Sequence, residues 1–286
     1  MFINFTKMHG CGNDYIYING FKEKITNPEK PAIELSDRHF GIGGDGVILI
    51  LPSDKADARM RMFNLDGSEG KMCGNGIRCV AKYLYDYDVV KKEHLSVETL
   101  GGIKYLDLNI ENGEVSSVKV DMGAAILESM QIPVKSDLEN IIDYDFEIEK
   151  QDFSMKCKIT CVSMGNPHCV VFTSGIDKMN LEKIGPHFEK NEFFPEGVNT
   201  EFIEIIDSNT LNMRVWERGS GETLACGTGA CAAVVAAVLN GYCKRNEDVK
   251  VKLIGGELLI NYSDTSVFMT GPCTKVFDGM IEFKEV

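Results

Sequence analysis

One short motif occurs twice in this chain, and its two copies are separated by 153 residues at every shared position. The shared residues include a cysteine followed by Gly-x-Gly: Met60, Arg61, Glu69, Cys73, Gly74 and Gly76 return as Met213, Arg214, Glu222, Cys226, Gly227 and Gly229. The same offset relates Gly12-Asn13 to Gly165-Asn166 and Gly44 to Gly197. Matches at several separated positions with one offset predict two domains of similar fold. A repeat of 153 residues is far too long for a solenoid.

The length and charge of the chain exclude several classes of protein. A chain of 286 residues is long enough for two ordinary domains. The formal net charge of −13 disfavours a nucleic-acid partner and an anionic membrane surface, because both attract clustered Lys and Arg. The sequence has no run of about 18 apolar residues and no signal-type apolar core at its N-terminus. We therefore expect a cytoplasmic protein with no nucleic-acid partner and no membrane partner.

Most of the sequence is typical of short strands separated by Gly, Asn and Asp, with few helices. One helix is predicted after each cysteine motif, and the second of these should be buried all round because Ala and Val occupy every side. A fully apolar helix among strands indicates a sheet that curls around it. Shorter helices are predicted over 31–39 and 180–190, and the acidic stretch 131–152 is predicted to belong to the link between the domains.

Each cysteine of the repeat directly precedes the start of a predicted helix. The first N–H groups of a helix have no partner within it and carry partial positive charge, so they favour a thiolate and can bind a carboxylate. We expect the pKa of each of these thiols to fall below the usual value of about 8.5. Cys79 and Cys231 lie inside the helices, and we interpret them as structural, like the cysteines without a counterpart in the other copy.

Two such thiols on opposite sides of one cleft suit a reaction at the α-carbon of an amino acid. The α-proton is weakly acidic, so its removal needs a base on one face and stabilisation of the charge that builds on the carboxylate. Inversion of the carbon also needs an acid on the other face. One thiolate and one thiol meet both needs by general acid–base catalysis, and no cofactor or metal is required in principle.

The two copies differ around their cysteines, and the second copy carries the charges. From the first copy to the second, Asn64 becomes Glu217, Leu65 becomes Arg218, Tyr15 becomes His168 and Asn75 becomes Thr228. Glu217 could hold an ammonium group, and Arg218 could pair with a carboxylate. Neutral polar contacts are expected from Asn13, Asn64, Asn166 and Asn199. Each asparagine could instead be a turn residue, and His168 could cap a strand.

These residues together make the chain similar to the diaminopimelate epimerase family over nearly its whole length. The matching segments are residues 8–14, 37–43, 63–69, 73–76, 165–168, 198–199, 217–223 and 225–229. The resemblance implies an isomerase that interconverts LL- and meso-diaminopimelate without a cofactor, on the route to lysine and peptidoglycan. It also implies an α+β fold of two pseudo-symmetric domains from internal duplication, each a mixed or antiparallel strand barrel around a central helix.

The resemblance also assigns roles to single residues. Cys73 and Cys226 match the family's acid–base pair, and His168 and Glu217 are counted with them as catalytic. Substrate contacts are expected from Asn13, Asn64, Asn166, Asn199, Glu217 and Arg218, and helix-start anion sites from Gly74, Asn75, Gly227 and Thr228. The first domain should comprise residues 1–118 and 273–286, since a C-terminal strand is expected to return to it, and the second domain residues 119–272. Members commonly form homodimers, and we expect one here.

Two positions depart from the family pattern. Some members place a substrate-contacting glutamine where this chain has Gly46, so this contact is either absent or made by the backbone. The family often has a tyrosine near its dimer contact at the position of Phe277. A dimer of this chain would therefore lack that hydroxyl group.

The residues alone suggest three alternatives, and the first of them is disfavoured by the order of the predicted elements. Residues 41–46 fit the G-x-G-x-x-G fingerprint of dinucleotide-binding enzymes, but a helix is predicted before them and a strand after them, the reverse of what that site needs. A zinc or thiol-redox protein would draw on Cys73, Cys79, Cys226, Cys231 and His168. No C-x-x-C pair is present, which weighs against both versions. A racemase or epimerase of another amino acid on the same fold is the nearest alternative in mechanism.

Overall fold

The computed structural model describes residues 2–151 and 153–283, and the chain divides into two compact units. Unit 1 comprises Met1–Asp121 and Thr270–Val286, and unit 2 comprises Met122–Met269. The expected boundaries at residues 118 and 272 lie a few residues from these. The chain thus leaves the first unit and returns to it at its C-terminal end.

Unit 1 consists mainly of strands, with two helices between them. Its elements in chain order are β1 (Phe2–Gly10), β2 (Asn13–Asn19), α1 (Glu29–Ser36), β3 (Gly46–Leu51), β4 (Ala58–Asn64), β5 (Glu69–Gly70), α2 (Gly74–Asp86), β6 (His94–Thr99), β7 (Gly102–Glu111) and β8 (Glu114–Gly123). The end of β8 carries the chain into unit 2.

Unit 2 follows the same plan, and its elements include one 3₁₀ turn (Ile176–Lys178). They are β9 (Tyr144–Lys150), β10 (Phe153–Ser163), β11 (Pro167–Phe172), α3 (Leu181–Glu189), β12 (Asn199–Asp207), β13 (Thr210–Glu217), β14 (Gly221–Glu222), α4 (Gly227–Leu239), β15 (Asp248–Leu253), β16 (Gly256–Tyr262) and β17 (Val267–Pro272). The last strand, β18 (Thr274–Glu282), belongs to unit 1 and pairs antiparallel with β1.

The two units have the same strand topology. In unit 1, β1 and β2 pair antiparallel, β2 and β3 parallel, β3 and β4 antiparallel, β4 and β6 parallel, and β6 and β7 antiparallel. Unit 2 repeats this series of pairings with β10, β11, β12, β13, β15 and β16. The strand before the series is β18 in unit 1 and β9 in unit 2. The predicted α+β fold with an internal duplication is confirmed.

The helix that follows each repeated cysteine is buried among the strands of its own unit. α4 is buried along most of its length. Alanine and valine occupy every side of this helix, so it has no polar face to present to water. It contacts β10, β11, β12, β15 and β16. α2 has the same length of 13 residues and buries Ile77, Val80 and Leu84. The predicted arrangement of strands around a central helix is confirmed.

The strands beneath the central helices are buried on both faces, because a second helix packs on their other side. In unit 1, Val47 and Leu49 of β3 form one core cluster with residues of α1. Ile48 points the other way, toward the start of α2, since successive side chains alternate between the faces of a strand. In unit 2, Phe202 of β12 packs with residues of α3, and Glu201 points toward the start of α4. This alternation places Glu201 beside a cysteine motif.

The acidic stretch 131–152 is not a link between the domains, contrary to the expectation. Ile132, Val134 and Ile141 are buried in the core cluster of unit 2, and β9 pairs antiparallel with β10. The acidic residues alternate with these apolar ones and lie at the surface. The high charge of the segment therefore made its buried apolar face hard to recognise in the sequence. Asp152 lies outside the described residues.

The predicted short helices correspond to α1 and α3. α1 precedes residues 41–46 and β3 follows them, so the order that a dinucleotide site requires is reversed and that alternative is rejected. Among the residues that the structure describes, no helix is both long enough and apolar enough to cross a membrane.

Candidate active site

The first half-site is built around Cys73, which caps α2. Its backbone is extended (φ −129°, ψ 116°), and its sulfur accepts a hydrogen bond of 3.3 Å from the Gly76 N–H. This arrangement satisfies one of the helix's unpaired donors, as a serine or aspartate cap does in other helices. The sulfur also lies 3.3 Å from Oδ1 of Asn13, to which the thiol can donate. The predicted pairing of a cysteine with a helix start is confirmed at this position.

The side chain of Asn13 is oriented by a network of charges. Its Nδ2 donates to Oδ2 of Asp45 at 2.7 Å, which turns Oδ1 toward Cys73. Arg38 joins Asp45 to Asp14, and Lys7 contacts Asp14 at 2.5 Å. Burial acts to raise the pKa of Asp14, but hydrogen bonds from the two cations hold it below its usual value. Asp45 was not among the predicted site residues, because in the sequence it is only an acidic residue in a glycine-rich turn.

Tyr15 occupies the position in unit 1 that His168 holds in unit 2. Its side chain hydrogen-bonds Cys73 and Asn13, and burial, followed by the nearby Cys73 and Asp45, raises its pKa well above the usual value. The ring also covers Gly46, where a Cβ would lie 2.9 Å from the tyrosine ring and would overlap the Phe63 carbonyl oxygen. A glutamine therefore cannot replace Gly46 in this structure without a shift of its surroundings.

The remaining residues of the first half-site are arranged around the start of α2. Asn64 ends β4 and donates from Nδ2 to Oγ of Ser68 at 3.0 Å. The side chain of Asn75 is buried, and its Oδ1 accepts from Arg78 at 3.0 Å. The Gly74 carbonyl accepts from the same guanidinium at 3.1 Å. Gly74 and Asn75 therefore offer backbone N–H groups at the helix start, because the side-chain oxygen of Asn75 is already bonded to Arg78.

The second half-site is built around Cys226, which caps α4 in the same way. Its backbone is again extended (φ −112°, ψ 111°), and its sulfur accepts from the Gly229 N–H at 3.4 Å. The hydroxyl of Thr228 lies 3.5 Å from the sulfur, and the carboxyl group of Glu217 hydrogen-bonds it as well. Gly227 is the first residue of the helix. The two cysteines thus have matching backbone positions in matching elements.

The pKa of Cys226 contradicts the expectation of a lowered value. Burial raises it well above its usual value, and the negative charges of Glu217 and Glu201 raise it further. The opposing effects of Thr228 and the Gly229 N–H are smaller. A helix start lowers a thiol pKa only where burial and anionic neighbours do not outweigh it. Cys226 therefore carries its proton at neutral pH.

His168 is fully buried in β11, and both of its ring nitrogens have partners. Nδ1 lies 2.7 Å from Oε1 of Glu201, and Nε2 lies 3.1 Å from Oδ1 of Asn166. The ring contacts two side chains and not the backbone end of a strand, so the strand-cap interpretation of His168 is wrong. Glu201 was missed by sequence analysis, although its replacement of Ile48 at the repeat offset was visible.

The other predicted residues of the second half-site lie where β13 ends. Asn199 is buried and holds two backbone groups, donating to the Pro167 carbonyl at 3.2 Å and accepting from the Arg218 N–H at 2.9 Å. Glu217 accepts a short hydrogen bond from Thr223, and burial raises its pKa. The exposed guanidinium of Arg218 donates to the Glu196 carbonyl at 2.8 Å. Asn199 therefore positions the backbone of its neighbours.

The Arg and Glu residues shared by the two motif copies form matched ion pairs. Arg61 Nε lies 2.7 Å from Glu69, and Arg214 Nε lies 2.7 Å from Glu222. Each pair joins a long strand to the short strand that leads into the cysteine. These ion pairs therefore hold in place the segment that precedes each helix. Across residues 2–151 and 153–283, no group of three or more His, Cys, Asp and Glu side chains could hold a metal ion.

Comparison with known proteins places the chain among epimerases. The sequence model described as Diaminopimelate epimerase matches residues 5–128 and 160–276. A diaminopimelate epimerase of Acetivibrio thermocellus is 54% identical over 286 residues, which cover 99% of this chain and 100% of that protein. One from Methanococcus maripaludis is 55% identical over 282 residues, covering 98% of this chain and 100% of the relative.

Solved structures with the same fold are much less similar in sequence. A hydroxyproline epimerase of Agrobacterium vitis has a TM-score of 0.71 and 14% identity, with coverage of 98% of this chain and 92% of its own. A Bacillus anthracis phenazine biosynthesis protein of the PhzF family has a TM-score of 0.72 and 16% identity, with coverage of 99% and 100%. They support the fold alone. The family match and the identity to full-length relatives show that this chain belongs to the diaminopimelate epimerase family.

Proposed function

We propose that this chain is an isomerase that interconverts LL- and meso-diaminopimelate without a cofactor, using Cys73 and Cys226 as its acid–base pair. Membership of the family supports the reaction. The observation that carries the choice of residues is the matched placement of the two thiols, each capping a helix and each accepting from the third residue of that helix. Such a helix start can also accept the negative charge of a substrate carboxylate.

The protonation of Cys226 sets the order of proton transfer in one direction of the reaction. Its raised pKa makes it the acid, so Cys73 is the base for the isomer whose α-hydrogen faces it. The Cys73 thiolate takes the α-proton, and the electron pair left on carbon is delocalised into the adjoining carboxylate. Cys226 then donates its proton to the opposite face and becomes a thiolate. The reverse reaction exchanges the two roles.

We propose that the remaining candidate residues hold the substrate. The reacting carboxylate is assigned to the backbone N–H groups of Gly74, Asn75, Gly227 and Thr228. Asn13, Asn64, Asn166, Asn199, Glu217 and Arg218 are assigned to the other polar groups of the substrate. Glu217 also acts on Cys226 directly, since its carboxyl group hydrogen-bonds the thiol. His168 is proposed to assist the same cysteine.

Solvent exchange tests the two-thiol mechanism. Purified protein is incubated with LL-diaminopimelate in D₂O, and both deuterium entry at the α-carbon and formation of the meso isomer are followed by NMR and chiral chromatography. The wild-type protein should give both, and Cys73→Ala and Cys226→Ala should each abolish epimerisation. Cys157→Ala is the matched control and should keep activity, since this half-buried thiol has no counterpart in the repeat. Full activity in either of the first two variants would falsify the assignment.

We propose further that the enzyme is a cytoplasmic homodimer with no nucleic-acid or membrane partner. The acidic net charge of −13 supports the absence of both partners. Large apolar side chains on the paired strands β1 and β18 support the dimer: Phe2 is 60% exposed and Met280 is 62% exposed. Light scattering after gel filtration should give the mass of a dimer for the wild type and of a monomer for Phe2→Lys/Met280→Lys. A monomeric wild type would refute the dimer.

A further inference from the structure

Glu201 is a buried carboxylate that the reaction scheme above does not use. The side chains of Glu201 and His168 are both 0% exposed, and Oε1 lies 2.7 Å from Nδ1 of the imidazole. The second carboxylate oxygen, Oε2, is also buried and has no hydrogen-bond partner among the described residues. An isolated buried carboxylate is strongly disfavoured, so the interaction with His168 must offset its loss of hydration.

The hydrogen bonds of His168 indicate which protons it carries. Nδ1 faces the carboxylate of Glu201, and Nε2 faces Oδ1 of Asn166 at 3.1 Å. Both partners are oxygens that accept hydrogen bonds. A neutral imidazole can donate from only one nitrogen, whereas the imidazolium donates from both. The two contacts are therefore satisfied together when the ring is doubly protonated.

The first unit provides an internal comparison. At the repeat offset, Ile48 stands where unit 2 has Glu201, and Tyr15 stands where it has His168. Ile48 and Glu201 each lie against the third residue of the central helix: a Cβ at Gly76 would be 2.7 Å from Ile48 Cδ1, and one at Gly229 would be 2.6 Å from Glu201 Oε1. An apolar residue therefore fits this position of the fold, as Ile48 does in unit 1. The charged pair is a feature of the Cys226 half-site and not of the fold.

Several ionisable groups lie near this pair. Cys169 lies on β11 beside His168, Glu217 lies on β13, and Cys226 lies at the start of α4. The charge of Glu201 acts to raise the pKa of all three, and the charge of His168 acts to lower that of Glu217. A cation at His168 would be the positive charge in a group that otherwise consists of carboxylates and thiols.

We propose that Glu201 is a positioning residue that holds His168 as an imidazolium, so that the Cys226 half-site can accept the negative charge left when this thiol donates its proton. This inference rests on the proposed acid role of Cys226. The carboxylate balances the imidazolium while Cys226 is protonated. When Cys226 becomes a thiolate, the same imidazolium stabilises it. No further reactant is needed, since the proton passes only between Cys226 and the substrate carbon.

The first experiment measures the protons of His168 directly. Nitrogen-15 NMR of histidine-labelled protein distinguishes an imidazolium from either neutral tautomer, and His168→Gln identifies the signal. Near neutral pH, the wild type should show two protonated ring nitrogens, and Glu201→Gln should show a neutral ring. Glu204→Gln, on the same strand but bonded to the Gly175 N–H, is the control and should leave the signal unchanged. A neutral His168 in the wild type would overturn the proposal even if the enzyme epimerises normally.

The second experiment measures catalysis in the same variants. Glu201→Gln should lower kcat about tenfold or more with little change in KM, and should move the basic side of the pH–rate profile. Glu201→Asp, which restores the charge, should recover part of kcat. If Glu201→Gln fails to fold, Glu201→Ile/His168→Tyr copies the pair of unit 1 and should fold while losing activity. Wild-type kcat and an unchanged pH profile in a folded variant would contradict the proposal, whereas the exchange assay on Cys73 and Cys226 tests the reaction itself.

Discussion

At the scale of single residues, the two repeated cysteines differ through their neighbours and not through their backbone. Cys73 lies beside Asn13 and Tyr15, whose side chains are uncharged at neutral pH. Cys226 lies near two carboxylates, Glu217 and Glu201, in a more buried environment. The side chains beside Cys73 are therefore neutral, whereas those near Cys226 include carboxylates that keep its proton in place. This difference suits a reaction that needs a base and an acid at the same time.

The raised pKa of Cys226 should be visible in its reactivity. Because the thiolate is the nucleophile, iodoacetamide should modify Cys226 slowly near neutral pH, and modification should increase only as the pH rises above about 8.5, the value of a free thiol. Glu217→Gln removes a negative neighbour, so it should lower the pKa of Cys226 and increase modification at a given pH. Peptide mapping by mass spectrometry over a pH series provides the measurement. Modification of wild-type Cys226 with a midpoint below that of a free thiol would contradict the assignment.

The orientation of Asn13 should depend on Asp45. Asp45→Asn removes the acceptor charge that holds Nδ2, so the amide can rotate and present a donor instead of Oδ1 to Cys73. We expect kcat/KM to fall by about tenfold, which corresponds to the loss of about 1.4 kcal/mol and is typical of a hydrogen bond to a charged group. Asp54→Asn, in an exposed loop, is the control. Equal kcat/KM in the two variants would remove Asp45 from the site.

At the scale of elements, both half-sites are produced by the same local construction. A long strand ends, and a short strand follows that is joined to it by an Arg–Glu ion pair. A cysteine then caps a buried helix. Glycine at the third helical position lets a strand side chain approach the cap closely, and that side chain is Ile48 in one unit and Glu201 in the other. The construction was predictable from the repeated motif. The identity of the approaching side chain required the strand pairing, because the two residues are distant in sequence from the cysteines.

The packing of α3 on β13 should be sensitive to one glycine. A Cβ at Gly185 would overlap the ring of Trp216, whose indole N–H donates to Glu189 at 2.7 Å on the same helix. Gly185→Ala should therefore destabilise the protein by about 1–3 kcal/mol, the cost of overpacking a well-packed core. Gly101→Ala is the control, since its Cβ would find its nearest neighbour at 3.5 Å. Thermal melts of both variants provide the measurement, and equal melting temperatures would show that the ring can move aside.

At the scale of the whole molecule, the chain is a duplicated topology in which the two ends of unit 1 meet. β18 pairs with β1 along nearly its whole length, from Phe2 opposite Glu282 to His9 opposite Thr274. The equivalent strand of unit 2, β9, precedes β10 in the chain and pairs with it as a hairpin. Unit 1 therefore takes this strand from the C-terminal part of the chain, whereas unit 2 takes the equivalent strand from the residues just before β10.

Removal of β18 should affect unit 1 more than unit 2. A chain that ends at Cys273 leaves β1 without β18, one of its two antiparallel neighbours, and removes the aromatic contact between Phe5 and Phe277. Hydrogen exchange measured by mass spectrometry should show faster exchange in β1 and β2, whereas α4, which belongs to unit 2, should stay protected. Uniformly faster exchange in both units would show that they do not fold as separate bodies.

The sequence by itself determined the duplication, the buried helix of each unit, the cysteine caps and the family, because all of these follow from repeated residue types at fixed spacing. It did not determine the ionisation of Cys226, since that depends on burial and on carboxylates from β12 and β13. It also concealed the role of residues 131–152, where surface charge alternates with core residues. Tyr15 and Glu201 became part of the candidate site only when strand pairing brought them near the cysteines, and Asp45 only through its contact with Asn13. The reason is that the electrostatics of a buried thiol are set by neighbours in space.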